Sequence, residues 1–410
     1  MKRAASAVFS FEVVFVLFLF AGRFKEDPRF DWVPVDTTVL LLLGSLAAGG
    51  WVFYKRKGKM RRSALLLTGL LGLFFTFCGF SYFWSPSTAY AIEKIGYLWV
   101  LTFWSFLGCA FIISRDQARL RRFFVVLMVF SSWFVFEALG AFLRADLTGQ
   151  QVYALGTRYL GLGRVIGLGS IVLFIYAISA TRSRIRRLLF LALFFAHVAT
   201  LLVIGGRGPL LATVAGLLVP VYFGTDWDIM RAKVSVQRYV KPIIASLLVS
   251  VVGVILFLPS GALTTVLRLQ VLFSNDVGAS AGMRIQMYEQ AVEIWATHPL
   301  GGAGIGGWPV LAGWGDQKMY PHNLFLEVLS EYGIIGFILV STFAFYAFRK
   351  MFAGKPVNKS ILKIIILSIF ANTFVNAMLT GDLSDNRVLF AMMGLFLYSP
   401  SERDQYRHRT

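Results

Sequence analysis

Five residues stand out first for chemistry they could do: His322 and the arginines at 164, 207, 268 and 284. An imidazole with an ordinary pKa of about 6.5 is a suitable general base at neutral pH. Guanidinium groups bind anions through planar, charge-assisted hydrogen bonds. Arg207 lies in the short turn Gly205-Gly206-Arg207-Gly208-Pro209, beside an expected helix N-terminus, where the positive end of the helix dipole adds to its pull on an anion. His322 is followed by Asn323, Glu327 and Glu331, spaced i, i+4 and i+8 on one stripe of a helix. A base beside an anion clamp is the chemistry these types suggest.

The elements that must position them are membrane helices. Of the 410 residues, 57% are hydrophobic and only 15% charged, against roughly 25% charged in a soluble domain. Apolar stretches near 4–22, 37–54, 63–83, 92–114, 123–143, 163–181, 188–204, 209–224, 243–259, 323–347, 361–379 and 388–400 are each read as a span. The expected fold is an all-α polytopic membrane protein of about 12 helices. Helices 1–9 occupy residues 1–259, a partly helical loop 260–322, helices 10–12 residues 323–400, and a tail 401–410.

Charge decides the side. With the N-terminus inside, the inner segments carry 28 of the 40 Lys and Arg and five of the 21 acids, so the positive-inside bias puts both termini in the cytoplasm and His322 with the four arginines outside. The net charge of +19 is then a topology signal with an affinity for anionic inner-leaflet lipid, not a nucleic-acid surface. Cys78 and Cys109 both fall within spans, which leaves no disulfide framework or Cys-based metal site. The first segment has no small-residue cleavage site before Phe24 and is read as a retained helix.

The 63 residues from Ser260 to His322 are too many for a simple connection. Within them Ile285, Tyr288, Val292 and Trp295 recur at i, i+3, i+7 and i+10, which predicts an amphipathic helix with that apolar face. It ends at Thr297-His298-Pro299, and the glycine-rich run Gly301 to Trp308 follows, a turn able to approach a ligand closely. Two carboxylates and an Asn in the first turns of the next span are costly unless they face a wet cavity or a partner, so a polar site is expected there. Asp226-Trp227-Asp228 looks like a metal-binding Asp-x-Asp, but it lies on the cytoplasmic side without an α/β pattern and is set aside. Asp382 and Asp385, beside Arg387, are expected to pair with an arginine.

This constellation resembles the O-antigen ligase and polymerase superfamily of bacterial membrane glycosyltransferases. The His322-Asn323 pair, nine residues, then Gly333 and Gly336 match the ligase-type motif; the Gly206-Arg207-Gly208 turn is similar to the family's Ser-Arg-Gly turn; and the Arg284 helix with His298 to Gly306 resembles the stretch before the catalytic histidine. The resemblance implies metal-independent transfer of a glycan from undecaprenyl pyrophosphate, on the periplasmic face, to a sugar hydroxyl, with no cofactor. His322 would be the base and Arg207 and Arg284 the diphosphate clamp, while Arg268, Arg164, Asn323, Glu327 and Glu331 would contact substrate. The second clamp residue stays open between Arg284 and Arg268, because the family's Arg-x-x-x-Leu pattern is met by Arg268 and Leu272 and not by Arg284 and Tyr288. A lipid A-core acceptor makes the enzyme a ligase and a second lipid-linked glycan a polymerase; the motif at His322 favours the ligase, whereas Arg158 and Gly169 fit a polymerase spacing. A lipid-linked oligosaccharide flippase is the remaining class. It would need an ionisable path through the bundle, for which only Glu12, Glu137 and His197 are clear candidates.

Overall fold

A computed structural model describes residues 10–144, 151–180, 183–223, 225–228, 233–236, 264–270, 279–354 and 356–400. The helices are α1 Phe11–Phe20, α2 Thr37–Lys55, α3 Arg62–Phe80, α4 Ala89–Ile113, α5 Gln117–Arg144, α6 Tyr159–Ile175, α7 Arg184–Val203, α8 Arg207–Phe223, α9 Thr264–Gln270, α10 Ala279–Thr297, α11 Gly307–Leu311, α12 Leu324–Phe352, α13 Ile361–Leu379 and α14 Arg387–Leu395. Two small antiparallel hairpins complete the described structure, β1 Tyr153–Ala154 with β2 Thr157–Arg158 and β3 Thr225–Asp228 with β4 Lys233–Val236. The Asp226-Trp227-Asp228 triplet lies on β3.

Eight of these helices are long and apolar enough to cross a membrane. Polar residues at the ends set several boundaries. Asp36 caps α2 by accepting from Thr38 N and Val39 N, and Ser360 caps α13. At the centre stands α6, packed among α5, α7, α8 and α13. Gly163 lets α8 come close: a Cβ there would lie 2.7 Å from the Pro209 Cβ. By contrast α2 is largely uncovered, with Leu40, Leu43 and Leu46 exposed, as expected of a lipid-facing helix.

The structure departs from the expectation of twelve spans at the last of them, and two others are short or undescribed. The stretch 388–400 forms only the nine-residue α14, about 14 Å long at 1.5 Å per residue, which is too short to cross. The stretch 209–224 is the 17-residue α8, at the lower end of the spanning range. The ninth expected span, 243–259, and the two chain ends lie outside the described residues.

The helix that follows the loop is broken. At Gly333 the α12 backbone takes φ 60° and ψ −162°, and the backbone groups near the break are answered by the chain from Pro299 to Gly304. Ala303 N donates to Ser330 O at 2.8 Å and Gly304 N to Glu331 O at 2.9 Å, while Ile334 N donates to Pro299 O at 2.9 Å. A Cβ on Gly333 would stand 2.3 Å from Leu300 O, and one on Gly302 would stand 2.3 Å from Glu331 C. The glycine-rich run therefore approaches the backbone of α12 closely, filling the gap that the break opens.

The helix α10 covers this junction, with a different face from the one expected. Met287, Ala291 and Ile294 are buried with Ala303 and Trp308, while Ile285 and Val292 are about half exposed. Both stripes have helical periodicity. The choice between them was made by Trp308, which follows the glycine run and is fully buried under α10.

Gly333→Ala is expected to lower the melting temperature in detergent by several degrees, because a side chain there is both strained and blocked. Gly72→Ala on α3, where a Cβ meets nothing within 4 Å, is the matched control and should not melt earlier. Equal melting of the two variants would contradict the role given to Gly333.

Candidate functional site

The turn between α7 and α8 carries the first arginine. Gly205 takes φ 91° there, and Arg207 is the first residue of α8. A short helix, α9, is stapled onto this turn. Thr265 Oγ1 donates to Leu201 O at 2.8 Å and accepts from Gly205 N at 2.9 Å, and Arg268 donates to Gly205 O at 2.6 Å. The Arg268 guanidinium also lies 5.0 Å from the ring centre of Tyr159, at the start of α6. Arg284 comes from α10. The result is a cavity of about 170 Å³ whose wall includes Arg207, Arg268 and Arg284 together with Tyr159, Leu211 and Thr380, and no carboxylate among the described residues. Like charges gathered without a counter-charge favour binding of an anion with more than one negative charge. Both arginines between which the sequence left the second clamp position open stand in this wall with Arg207.

His322 sits in the turn before α12, half-buried, with φ 58°. The Tyr320 ring meets its imidazole edge-on at 4.7 Å. Its Nδ1 is buried and has no hydrogen-bond partner among the described residues. Burial first, and then the positive fields of Arg284 and Arg164, push its pKa down to about 4. The histidine is therefore neutral at physiological pH, a form in which it accepts a proton. It does not line the three-arginine cavity, but it lies within the field of Arg284, which does.

Arg164 stands on α6, one turn in. It donates to Thr380 O at 2.6 Å, and Thr380 is part of the wall of the three-arginine cavity. On its other side Arg164 faces a small cavity shared with Arg23 and Asp385. Arg158, by contrast, is exposed on the β2 strand.

Asn323 has a backbone task. Its Oδ1 accepts from Phe325 N at 3.0 Å and Leu326 N at 3.2 Å, capping α12. This explains why Asn beside the histidine suits the turn: the cap fixes the backbone next to His322. Glu327 and Glu331 do not line the arginine cavity. Lys94 of α4, fully buried, holds both, with Nζ 2.6 Å from Glu327 Oε1 and 2.8 Å from Glu331 Oε2. Leu383 N also donates to Glu327 Oε1 at 2.9 Å. The stripe thus faces a partner and not a wet cavity. Lys94 was the missed residue, and its signal was present: a lysine one turn and a half into an apolar helix needs a counter-charge. Asp382 accepts from the Tyr90 hydroxyl at 2.6 Å and Asp385 pairs with Lys318 at 2.9 Å, so neither pairs with Arg387, whose Nε donates to Leu19 O.

The other intramembrane candidates are separate and satisfied. Glu12 pairs with Arg119 and Arg122, Glu137 with Arg29, and His197 bonds Ser131 and Leu193 O. They form no connected path among the described residues.

Residues 169–341 match the family model described as O-antigen ligase, a stretch that contains Arg207, Arg268, Arg284 and His322. No curated protein matches the chain.

Lys94→Met should cost about 3–5 kcal/mol of stability, since it leaves two buried carboxylates without their cation. The triple variant Lys94→Met with Glu327→Gln and Glu331→Gln is expected to recover most of that loss. Thermal unfolding in detergent checks both; a single variant as stable as the parent would show that the triad does not hold the helices.

Proposed function

From a polytopic helical protein whose residues 169–341 carry the O-antigen ligase family's region, we propose a metal-independent glycosyltransferase that moves a glycan from undecaprenyl pyrophosphate to a sugar hydroxyl of lipid A-core on the periplasmic face. The observation that carries this reading is the convergence of Arg207, Arg268 and Arg284 on one cavity with no carboxylate among its described lining residues, with His322 kept neutral by burial and by the positive fields of Arg284 and Arg164.

In the proposed reaction the acceptor hydroxyl oxygen attacks the anomeric carbon of the donor sugar. The new glycosidic bond forms as the bond from that carbon to the diphosphate oxygen breaks. The bonding electrons leave with the diphosphate, and the hydroxyl proton passes to His322. Negative charge grows on the leaving group, so arginines already aimed at it stabilise the transition state more than the ground state. Donor binding has a second effect in this scheme. An anion beside Arg284 offsets the positive field that holds the His322 pKa down, which makes the imidazole a stronger base when the substrate is present.

Replacing Arg207 or Arg284 by Ala is expected to lower the transfer rate about 10²–10³-fold, the usual cost of one electrostatic contact to a developing anion. His322→Ala should abolish transfer and leave binding of undecaprenyl diphosphate intact. Purified protein with lipid-linked glycan and lipid A-core, read on a lipopolysaccharide gel, tests all three; normal ladders from His322→Ala would exclude the base assignment.

The pH dependence carries a sign. A base with a lowered pKa stays active above that pKa and is lost only as pH falls through it. The acid limb of kcat/KM, which reports the free protein, should therefore lie near pH 4. The limb of kcat should lie higher, towards the ordinary histidine value of about 6.5. An acid limb of kcat/KM at the ordinary histidine value would contradict the assignment.

A further inference from the structure

A second and larger cavity opens on the same end of the bundle. It measures about 780 Å³ and lies between the end of α1, the start of α2, the first half of α4 and the turn before α14. Its wall mixes the two signs of charge, unlike the three-arginine cavity. Much of that charge is already paired: Lys25 with Asp36 at 2.8 Å and Lys318 with Asp385 at 2.9 Å. The charges left over are two cations, Arg23 and Arg387, and two carboxylates, Glu26 and Glu93. Arg23 makes no hydrogen bond or ion pair with the described residues. Arg387 gives its Nε to Leu19 O and lies over the Phe18 ring at 5.3 Å, with no carboxylate on its guanidinium among the described residues.

One part of the wall is apolar, formed by Val39 and Leu42 of α2 and Ile92, Val100 and Leu101 of α4. The outer face of α2 continues that apolar surface, with Leu40, Leu43 and Leu46 exposed. Unpaired guanidinium groups above an apolar wall suit an amphiphile that carries phosphate. Carboxylates alongside them supply acceptors for hydroxyl groups, which a sugar has and a bare polyprenyl diphosphate lacks.

The two cavities are linked. Between them is a small cavity of about 40 Å³ that shares Arg23 and Asp385 with the larger one and includes Arg164. Arg164 in turn bonds Thr380 O, in the wall of the three-arginine cavity. His322 lies in the positive fields of both Arg164 and Arg284.

We propose that the larger cavity seats the phosphate-bearing head group of the glycolipid acceptor, with Arg23 and Arg387 as its anion contacts and the α2–α4 wall along its acyl chains. The identity of that ligand rests on the transferase reading above. The same phosphate chemistry could be offered by an anionic phospholipid, so both sources belong in the test.

Full-length protein in nanodiscs of neutral lipid is titrated with diphosphorylated lipid A-core, its dephosphorylated form, phosphatidylglycerol and undecaprenyl diphosphate. Arg23→Gln should weaken binding of the phosphorylated glycolipid about tenfold, the effect of losing one charge-assisted contact. It should leave undecaprenyl diphosphate unaffected, and it should bind the dephosphorylated glycolipid as the parent does. Arg387→Gln should behave alike. If that variant fails to fold, Arg23→Gln decides alone, because Arg23 makes no hydrogen bond or ion pair with the described residues. Parental affinity of Arg23→Gln for the phosphorylated glycolipid overturns the proposal. So does displacement of the glycolipid by equimolar phosphatidylglycerol, which would make this a membrane-lipid site. A protein that shows the expected binding pattern but transfers no glycan would refute the transferase reading and leave the cavity assignment standing.

Discussion

Three guanidinium groups around one cavity repel one another, and the remainder of the site is arranged so that they stay there. Arg207 cannot leave because it begins α8 at a turn whose amide and carbonyl are both held by α9. Arg268 is restrained by the same carbonyl and by the Tyr159 ring. Arg284 arrives from α10, which is anchored by Met287, Ala291 and Ile294 on Trp308. With no carboxylate among the described residues of the wall, the arrangement stores positive potential that a diphosphate would relieve. The low pKa of His322 follows in part from the same potential. Arg284 and His322 are thus coupled by electrostatics.

A second constraint holds the histidine itself. The first turns of α12 are tied to α4 by Lys94 through Glu327 and Glu331, and to the turn before α14 by Leu383 N. The Asn323 cap and the break at Gly333 act on the same segment from its two ends. A buried ion triad stabilises little in net terms, but removing one member is costly, so it fixes one arrangement of the helices against others. The spacing that resembles the family's motif, His322 and Asn323 followed by Gly333 and Gly336, has a mechanical content here. It places a cap at one end of two and a half helical turns and, at Gly333, a break pinned to the glycine-rich run at the other.

Much of this was legible in the sequence. Apolar runs located most of the helices, because crossing length is a property of one segment alone. The arginines and His322 could be grouped because charge bias gives each segment an expected side without a fold. What was not legible depended on pairs. Glu327 and Glu331 were correctly read as needing a partner or water, yet the partner, Lys94, is more than 200 positions away; a lysine in an apolar helix signals that it needs a counter-charge, but not which one. The face of α10 was misassigned because two helical stripes were available and only the buried Trp308 distinguishes them. The glycines from 301 to 307 suggested a turn near a ligand; in fact at least Gly302 makes its close approach to the backbone of α12. Both uses need the same missing side chain.

The most direct measurement is a cryo-EM structure of the protein in nanodiscs with undecaprenyl diphosphate bound. The account predicts the diphosphate in the cavity of Arg207, Arg268 and Arg284, with guanidinium nitrogens about 2.7–2.9 Å from its oxygens and the imidazole of His322 facing the space beside it. A diphosphate seated elsewhere, with the three arginines unliganded, would contradict it.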